Sequence, residues 1–437
     1  MTSNSQHVLI RVDAGMGIGF GHLTRCVSLA SELKALGAEV SVATRTSVKE
    51  ALQKIATAGA TVIHLPDPAR DTEIADEPIW PADRQMDDAN SVINSAPQRG
   101  WDAVVVDHYQ LDSVWEHALR EYSRKIVVID DLANRSHDAD VIVDHNWYGP
   151  ENAQRYEGLT SANTQLLIGP RYAMLHPLYA QACKNREPVR FPPARAVVSF
   201  GGTDVGGQSI KAVRAILDES EMEIDLVFGT EAAVSREIES LAISEPRLNL
   251  HVALPNLVEV LSRADIVFGA GGTATWERLC LRVPAIVTTV SENQSGVTRA
   301  FDEARITRWL GTSDTVDYET YRSAVKDAVA GQLPQMLPIV DGYGARRVAL
   351  AIVSLSEVIV GRRVARHSDI PALTTAGSID EGPDIWRQRA ATLSSASDPI
   401  PGTTVLTVDE VPIGAVVAQK PGEDYCWTEP FIRTEDS

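Results

Sequence analysis

The feature that most constrains the fold is an apolar run, His7–Val12, which leads through a glycine-rich stretch into a helical pattern, Leu23–Leu36. A strand that turns through glycines into a helix is the opening unit of a parallel α/β domain. Glycines let the backbone approach a ligand closely, and the free N–H groups of a helix start favour an anion such as phosphate. His22 ends this turn, and it is the residue of the loop that can exchange a proton near neutral pH.

The same alternation of strands and helices continues through two long regions. In the first, continuous apolar runs such as Ala103–Asp107 and Lys125–Asp130 alternate with helical patterns, which is typical of a parallel sheet covered on both faces. Prolines at 188, 192 and 193 predict a domain boundary, and a second alternation follows. We therefore predict two doubly wound, Rossmann-like domains with a ligand cleft between them.

Composition excludes several classes of function. The net charge of −19 over 437 residues argues against non-specific binding to nucleic acid or to an anionic membrane. The polar N-terminus and the lack of long apolar runs predict neither a signal peptide nor a membrane span. The four cysteines are far apart in sequence, which favours a reducing cytoplasm and predicts no zinc site.

The first glycine-rich loop, GMGIGFGH, contains Gly17, Gly19 and Gly21 before His22. It lacks the spacing of a dinucleotide-binding fingerprint, and no Lys-Ser/Thr pair follows it as in a P-loop. His22 directly after a glycine run at a strand-to-helix turn favours a functional role. The alternative is a histidine that caps or packs against the helix.

Two further glycine turns lie in the second region. The stretch SFGGTDVGG contains Gly202 and Thr203, whose amides and hydroxyl suit a phosphate, although Gly-Gly turns are also common without a ligand. The stretch GAGGTATWE contains Gly272, Thr273 and Glu277. A carboxylate there can accept two hydrogen bonds from a ribose diol; the alternative is a charge that favours the helix dipole. These loops suggest a nucleoside diphosphate in the second domain, with the attached group facing His22.

The motifs RVDAGMGIGFGHLTR, VVVDHY, VVIDD, YEGL, LIGPRYAMLHP, SFGGTD, GGTATWERLCLRVPAIVTTVSENQ and DGYGARRVA occur in that order. Across roughly residues 7–358, the chain resembles the UDP-2,4-diacetamido-2,4,6-trideoxy-β-L-altropyranose hydrolases of pseudaminic acid biosynthesis. That family is related to the UDP-N-acetylglucosamine transferase of peptidoglycan synthesis. The resemblance implies the two-domain GT-B fold and inverting hydrolysis of a UDP-linked sugar to free sugar and UDP.

The resemblance also implies roles for individual residues. His22 would activate water, and the three loop glycines would shape its surroundings. Gly202, Thr203, Gly272 and Thr273 would lie near UDP, and Glu277 would hold the ribose. Residues expected near the sugar or the cleft are Asp13, Tyr109, Tyr156, Asn293 and Gln294. We expect no obligatory cofactor or metal; the oligomeric state is left open.

The predicted organisation has four parts. They are an N-terminal Rossmann-like domain on the sugar side (1–187), a UDP-binding Rossmann-like domain (188–343), a closing helix (344–360) and a small α+β appendage (361–437). The appendage contains a strand pair like that of a GNAT acetyltransferase but lacks the RxxGxG/A loop for acetyl-CoA. We therefore interpret it as a partial GNAT-like remnant or a docking module.

The sequence departs from the family pattern at one point of the site. After the strand that ends at Val143, the family pattern has a glutamine-asparagine pair, whereas this chain has His145 and Asn146. Two other functions stay open beside the hydrolase. One is a GT-B glycosyltransferase with a non-water acceptor, and the other is a nucleotide-sugar-binding protein without turnover.

Overall fold

The computed structural model describes most of the chain. The described residues are 5–15, 19–66, 79–95, 100–149, 152–201, 204, 206–353, 361–375, 383–408, 411–418 and 424–428. Three predicted site residues, Gly17, Gly202 and Thr203, lie outside these ranges.

The first domain is built on seven parallel strands. They are β1 (His7–Val12), β2 (Glu39–Thr44), β3 (Thr61–His64), β4 (Ala103–Asp107), β5 (Ile126–Ile129), β6 (Val141–Asp144) and β7 (Gln165–Ile168). Their order in the sheet is β3-β2-β1-β4-β5-β6-β7. The helices are α1 (Gly21–Ala35), α2 (Lys49–Thr57), α3 (Ala82–Ile93) and α4 (Ser113–Leu119). The next helix, α5 (Leu178–Asn185), packs into the core of the second domain.

The second domain is built on six parallel strands. They are β8 (Arg195–Ser199), β9 (Glu223–Phe228), β10 (Leu248–Val252), β11 (Ile266–Gly269), β12 (Ala285–Thr289) and β13 (Arg308–Thr312), in the order β10-β9-β8-β11-β12-β13. The helices are α6 (Gln208–Glu219), α7 (Arg236–Ser244), α8 (Val258–Arg263), α9 (Ala274–Cys280), α10 (Ser295–Glu303) and α11 (Tyr318–Val329).

The continuous apolar runs are explained by cores on both faces of each sheet. All five residues of β4 are buried. Val105 packs into the core on one face of the first sheet, whereas Val104 and Val106 pack into the core on the other. Successive side chains of a strand point to opposite faces, so a strand covered on both sides must be apolar throughout. The predicted pair of doubly wound domains is confirmed.

Helix α12 (Gly344–Ile352) returns the chain to the first domain. Val348 and Ala349 are fully buried in the core that also contains the apolar face of α1. The Lys125 ammonium donates to the Ala351 carbonyl at 2.7 Å and so satisfies a free acceptor at the helix end. Helix α12 ends at Ile352, and residues 354–360 of the predicted closing helix lie outside the described part.

The C-terminal appendage has its own antiparallel sheet. Its strands are β14 (Gly361–Ala365), β15 (Ile400–Val408), β16 (Val411–Ala418) and β17 (Asp424–Thr428), in that order. Helices α13 (Ile370–Thr374) and α14 (Pro383–Ser395) lie between the first two strands. The strand pair noted in the sequence is the antiparallel pair β15–β16, and residues 409 and 410 between the two strands lie outside the described ranges.

The periodic patterns did not predict every element. Strand β7 has two fully buried residues, and every residue of the edge strand β13 is partly exposed. Neither strand therefore needs the continuous apolar run that marks a central strand. Across the described ranges, no helix is both long and apolar enough to span a bilayer.

Candidate active site

The loops at the carboxyl ends of the two sheets meet face to face. A Cβ atom placed on Gly21 would lie 2.6 Å from Thr273 Oγ1, so the loop before α1 touches the turn before α9. A Cβ atom on Gly296 of α10 would lie 2.9 Å from the Tyr148 ring of the first domain. Glycine at both positions permits this close approach. The predicted interdomain cleft is therefore the place where the carboxyl-edge loops of both domains converge.

A tight turn leads from β1 into the first helix. Gly15 and Gly19 exchange backbone hydrogen bonds, with the Gly19 N–H donating to the Gly15 carbonyl at 2.7 Å. Gly19 has a φ of +82°, which a residue with a side chain rarely adopts. Helix α1 then begins at Gly21, so His22 lies in its first turn.

His22 is held by a buried carboxylate. Its Nδ1 lies 2.5 Å from Oδ1 of Asp107, the last residue of β4, and the histidine is 8% exposed. Arg25, one turn further along α1, donates from Nε to Asp107 Oδ2 and from Nη2 to Oδ1, both at 2.7 Å. Arg25 Nη1 also donates to Asp131 at 2.8 Å. One helix face thus brings an imidazole and a guanidinium to the same carboxylate.

The electrostatics of this cluster fix the histidine tautomer. Burial acts to raise the pKa of Asp107, but the charge of Arg25 is foremost among the effects that outweigh it and hold the pKa well below its usual range. An ionised carboxylate only accepts hydrogen bonds, so His22 Nδ1 must carry the proton. Nε2 of neutral His22 therefore has a free lone pair. Among the described residues it has no hydrogen-bond partner, and it is not among the fully enclosed atoms.

Tyr109 connects the histidine to the second domain. Its ring packs edge-on against His22 with the ring centroids 4.4 Å apart. Its hydroxyl accepts a hydrogen bond from Nδ2 of Asn293 at 3.3 Å, which joins two predicted site residues across the domains. Burial, and next the charge of Asp131, raise the pKa of Tyr109 well above its usual range, so the phenol stays protonated.

A second buried imidazole lies on the same side of the cleft. His145 is 4% exposed, and its ring centroid is 5.1 Å from that of Trp276. Burial, and next the charge of Arg25, lower the pKa of His145 to about 3, so this imidazole is neutral. Its Nδ1 is enclosed and has no hydrogen-bond partner within the described structure.

The second-domain side contains four further predicted residues. Thr273 and Gly272 form the turn after β11, and a Cβ atom on Gly272 would lie 3.4 Å from Nε2 of Gln294. Glu277 lies in α9 and is 8% exposed. Burial raises the pKa of Glu277 to about 7, although Tyr179 and then Lys54 offset part of the effect.

Two predicted residues lie in networks of their own. The Asp13 carboxylate accepts from Arg11 and from the Arg45 backbone N–H at 2.8 and 2.7 Å, within a buried ion-pair network. The Tyr156 hydroxyl donates to the Asp130 carbonyl at 2.8 Å and lies 3.2 Å from Asp144. These contacts bring neither side chain together with His22.

Sequence reasoning assigned no role to Asp107, Arg25 or Asp131. Asp107 was recognisable as a polar residue at the end of a predicted strand, but its partner was not. The usual strand order of a doubly wound sheet could have identified this partner. In that order β1 and β4 are neighbours, which brings Asp107 beside the His22 loop. Arg25 follows His22 by three residues, which puts both on one helix face. Within the described part of the chain, no three His, Cys, Asp or Glu side chains are arranged to hold a metal ion.

The architecture defines the class of protein: two Rossmann-like domains with facing carboxyl-edge loops form the GT-B fold. The solved structure of LpCGTa in complex with UDP has this fold. It matches with a TM-score of 0.54 at 12% identity and covers 89% of this chain and 99% of that chain.

Similarity to curated proteins is more specific. The chain is 21% identical over 276 residues to the UDP-2,4-diacetamido-2,4,6-trideoxy-beta-L-altropyranose hydrolase of Campylobacter jejuni, covering 63% of this chain and 88% of the relative. It is 25% identical over 251 residues to the spore coat polysaccharide biosynthesis protein SpsG of Bacillus subtilis, covering 54% of this chain and 71% of the relative. No model of a protein family matches. The resemblance to the altropyranose hydrolase, first seen in the motifs, is confirmed.

Proposed function

We propose that this protein hydrolyses a UDP-linked amino or deoxy sugar to the free sugar and UDP. The similarity to a curated UDP-sugar hydrolase supports the reaction class. The GT-B fold supports it as well, because the loops of two domains converge on one cleft.

The observation that carries the proposal is the His22–Asp107 pair. With Nδ1 donating to Asp107 at 2.5 Å, Nε2 is the basic atom of the ring. A water molecule at Nε2 would give its proton to the imidazole while its oxygen bonds to the anomeric carbon. The bond from that carbon to the β-phosphate oxygen breaks, and its electron pair leaves with UDP. The Asp107 carboxylate stabilises the imidazolium that results. Attack opposite to the leaving group inverts the anomeric configuration.

The second domain would bind the UDP moiety. Glu277 is proposed to accept hydrogen bonds from the ribose diol, and Gly272 and Thr273 to lie beside the nucleotide. The resemblance extends this role to Gly202 and Thr203. The contact between Gly21 and Thr273 supports the arrangement, because it brings the nucleotide side and the histidine loop together.

Incubation with a panel of UDP-amino sugars without any acceptor tests the proposal. We expect release of UDP and a reducing sugar whose first-formed anomer, observed by NMR, is inverted. Tight UDP binding without release would favour a glycosyltransferase that needs another acceptor. Failure to bind UDP or any UDP-sugar would contradict the proposal.

The variant His22→Gln tests the base. Turnover should fall about 10²–10⁴-fold, the usual contribution of a general base, while UDP binding is retained. The matched control is His117→Gln, since the His117 side chain is 82% exposed and lies outside the cleft. Equal activity of the two variants would remove the base assignment.

A further inference from the structure

Helix α14 of the appendage contributes to two separate cores. Near its end, Leu393 packs against the small core of the appendage itself. Near its start, Trp386 is 4% exposed and packs within the core of the second domain. A large aromatic side chain buried in this way contributes much apolar area and a fixed orientation. The appendage is therefore anchored in the GT-B unit by a tryptophan.

Trp386 joins a continuous group of aromatic rings. Its ring centroid is 5.3 Å from that of Trp147, which is 6.1 Å from Phe301. Phe301 is 5.7 Å from Trp276, and Trp276 is 5.1 Å from His145. Trp147 and His145 follow β6 of the first domain, whereas Phe301 and Trp276 belong to α10 and α9 of the second. Trp386 thus packs where the two domains share aromatic side chains.

Polar contacts hold the appendage in the same position. Arg387 donates to the Ala304 carbonyl after α10 and, at 3.0 Å, to Gln335. Away from α14, the Arg171 guanidinium donates to the Thr375 carbonyl at 3.1 Å. The buried Arg347 of α12 donates to the Pro412 carbonyl, 3.1 Å from Nη2. The appendage is therefore attached to both domains at several points.

Residues 145–148, the loop that contains Trp147, belong to the candidate site. Tyr148 donates from its hydroxyl to the Asp131 carbonyl at 3.0 Å, and Asp131 accepts from Arg25 of the histidine cluster. The charges that act on His145 are those of Arg25, Asp131, Asp107 and His22. A shift of Trp147 would therefore move a loop that contacts Asp131, which is bound to Arg25 of the histidine cluster.

We propose that Trp386 is a positioning residue of the site. Through Trp147 it holds the loop 145–148 of the first domain against α9 and α10 of the second. This proposal rests on the proposed function, because the loop 145–148 lies on the side of the cleft assigned to the sugar. It gives the appendage a role in arranging the site rather than a separate enzymatic activity.

The test uses the full chain with Trp386→Leu, which keeps an apolar side chain but removes the rings. The rescue variant is Trp386→Phe. The matched control is Ile385→Ala, because Ile385 is the preceding residue of the same helix and is 41% exposed. For Trp386→Leu we expect kcat/KM for the UDP-sugar to fall about ten- to a hundredfold, as a displaced site residue would cause. UDP affinity should be unchanged, Trp386→Phe should recover most of the loss, and Ile385→Ala should behave as wild type.

A second readout does not depend on turnover. The ring resonances of His145, assigned by their loss in His145→Gln, should shift in Trp386→Leu and not in Ile385→Ala. Wild-type kcat/KM together with unshifted His145 resonances in folded Trp386→Leu would overturn the proposal. An equal loss of activity in Ile385→Ala would also overturn it. If the wild-type protein cleaves no UDP-sugar, the proposed function fails and the His145 resonances alone decide whether Trp386 positions the loop.

Discussion

We expect nucleotide binding to depend on pH through the buried carboxyl of Glu277. Burial raises its pKa from 4.5 to about 7, in spite of the opposing effects of Tyr179 and Lys54. The ionised carboxylate can accept both hydrogen bonds of a ribose diol, whereas the protonated acid must donate at one oxygen. If Glu277 holds the ribose, the affinity for the nucleotide should increase as the pH rises through the pKa.

The size of the effect follows from the ionised fraction. With a pKa of about 7, the ionised fraction falls about tenfold between pH 8 and pH 6, which corresponds to ~1.4 kcal/mol of binding free energy. Titration calorimetry with a UDP-sugar measures this pH dependence of the affinity directly. The diphosphate of a UDP-sugar is esterified and loses no proton near neutral pH, so the ligand itself adds no pH dependence. Use of the His22→Gln variant prevents consumption of the ligand during the titration.

The matched control is Glu277→Gln, which resembles the protonated acid. It should bind more weakly at pH 8 by roughly 1–3 kcal/mol and should show no pH dependence in this range. Protonation of Glu277 does not itself unfold the protein. Because the folded-state pKa is raised, this carboxyl stabilises the fold most when protonated, and that stability is lost as the pH rises through about 7. Equal affinity at pH 6 and pH 8, or the same pH dependence in Glu277→Gln, would refute the assignment.

Substitutions at three further residues test the sugar side, each with thermal unfolding measured alongside to detect loss of fold. Asp107→Asn should lower kcat about 10²–10⁴-fold, because an amide does not enforce the Nδ1–H tautomer of His22 or stabilise its imidazolium; unchanged kcat would contradict the dyad. His145→Gln should change the preference among UDP-sugars by roughly 0.5–1.5 kcal/mol in relative kcat/KM, the net value of one hydrogen bond, without changing UDP affinity; an unaltered preference would place His145 away from the sugar. Tyr109→Phe removes the hydrogen bonds of the hydroxyl to Asn293 and Asp131 but keeps the ring against His22, so it should lower kcat/KM less than Tyr109→Ala, which removes both the hydroxyl and the ring.

The sequence predicted most of the architecture because its central strands are buried on both faces. Continuous runs such as Ala103–Asp107 leave little ambiguity, and the glycine turns mark where strands pass into helices. Edge strands such as Arg308–Thr312 escaped prediction because partial exposure permits mixed residues. The docking of the appendage through Trp386 was also not predictable, since a single tryptophan in a polar helix does not identify the core it enters.

The candidate site was predictable only in part. Glycine loops and strand ends locate His22, Thr273 and Glu277, because local patterns mark these positions. The partners of His22 depend on strand order, which brings Asp107 within 2.5 Å although it is 85 residues away in sequence. Asp13 lies just after a strand, as a site residue would, and was therefore predicted near the cleft. Its carboxylate instead accepts hydrogen bonds from Arg11 and the Arg45 backbone.

We propose that water, activated by His22, attacks the anomeric carbon of a UDP-sugar. The most direct test is turnover in H₂¹⁸O without an acceptor, followed by mass spectrometry of the UDP, whose phosphate oxygens do not exchange with water. Attack at carbon predicts UDP free of ¹⁸O, formed together with the sugar and lost in His22→Gln. Incorporation of ¹⁸O into UDP would show attack at phosphorus and would contradict attack at the anomeric carbon. Undiminished release of UDP by His22→Gln would contradict the role of His22 as the base.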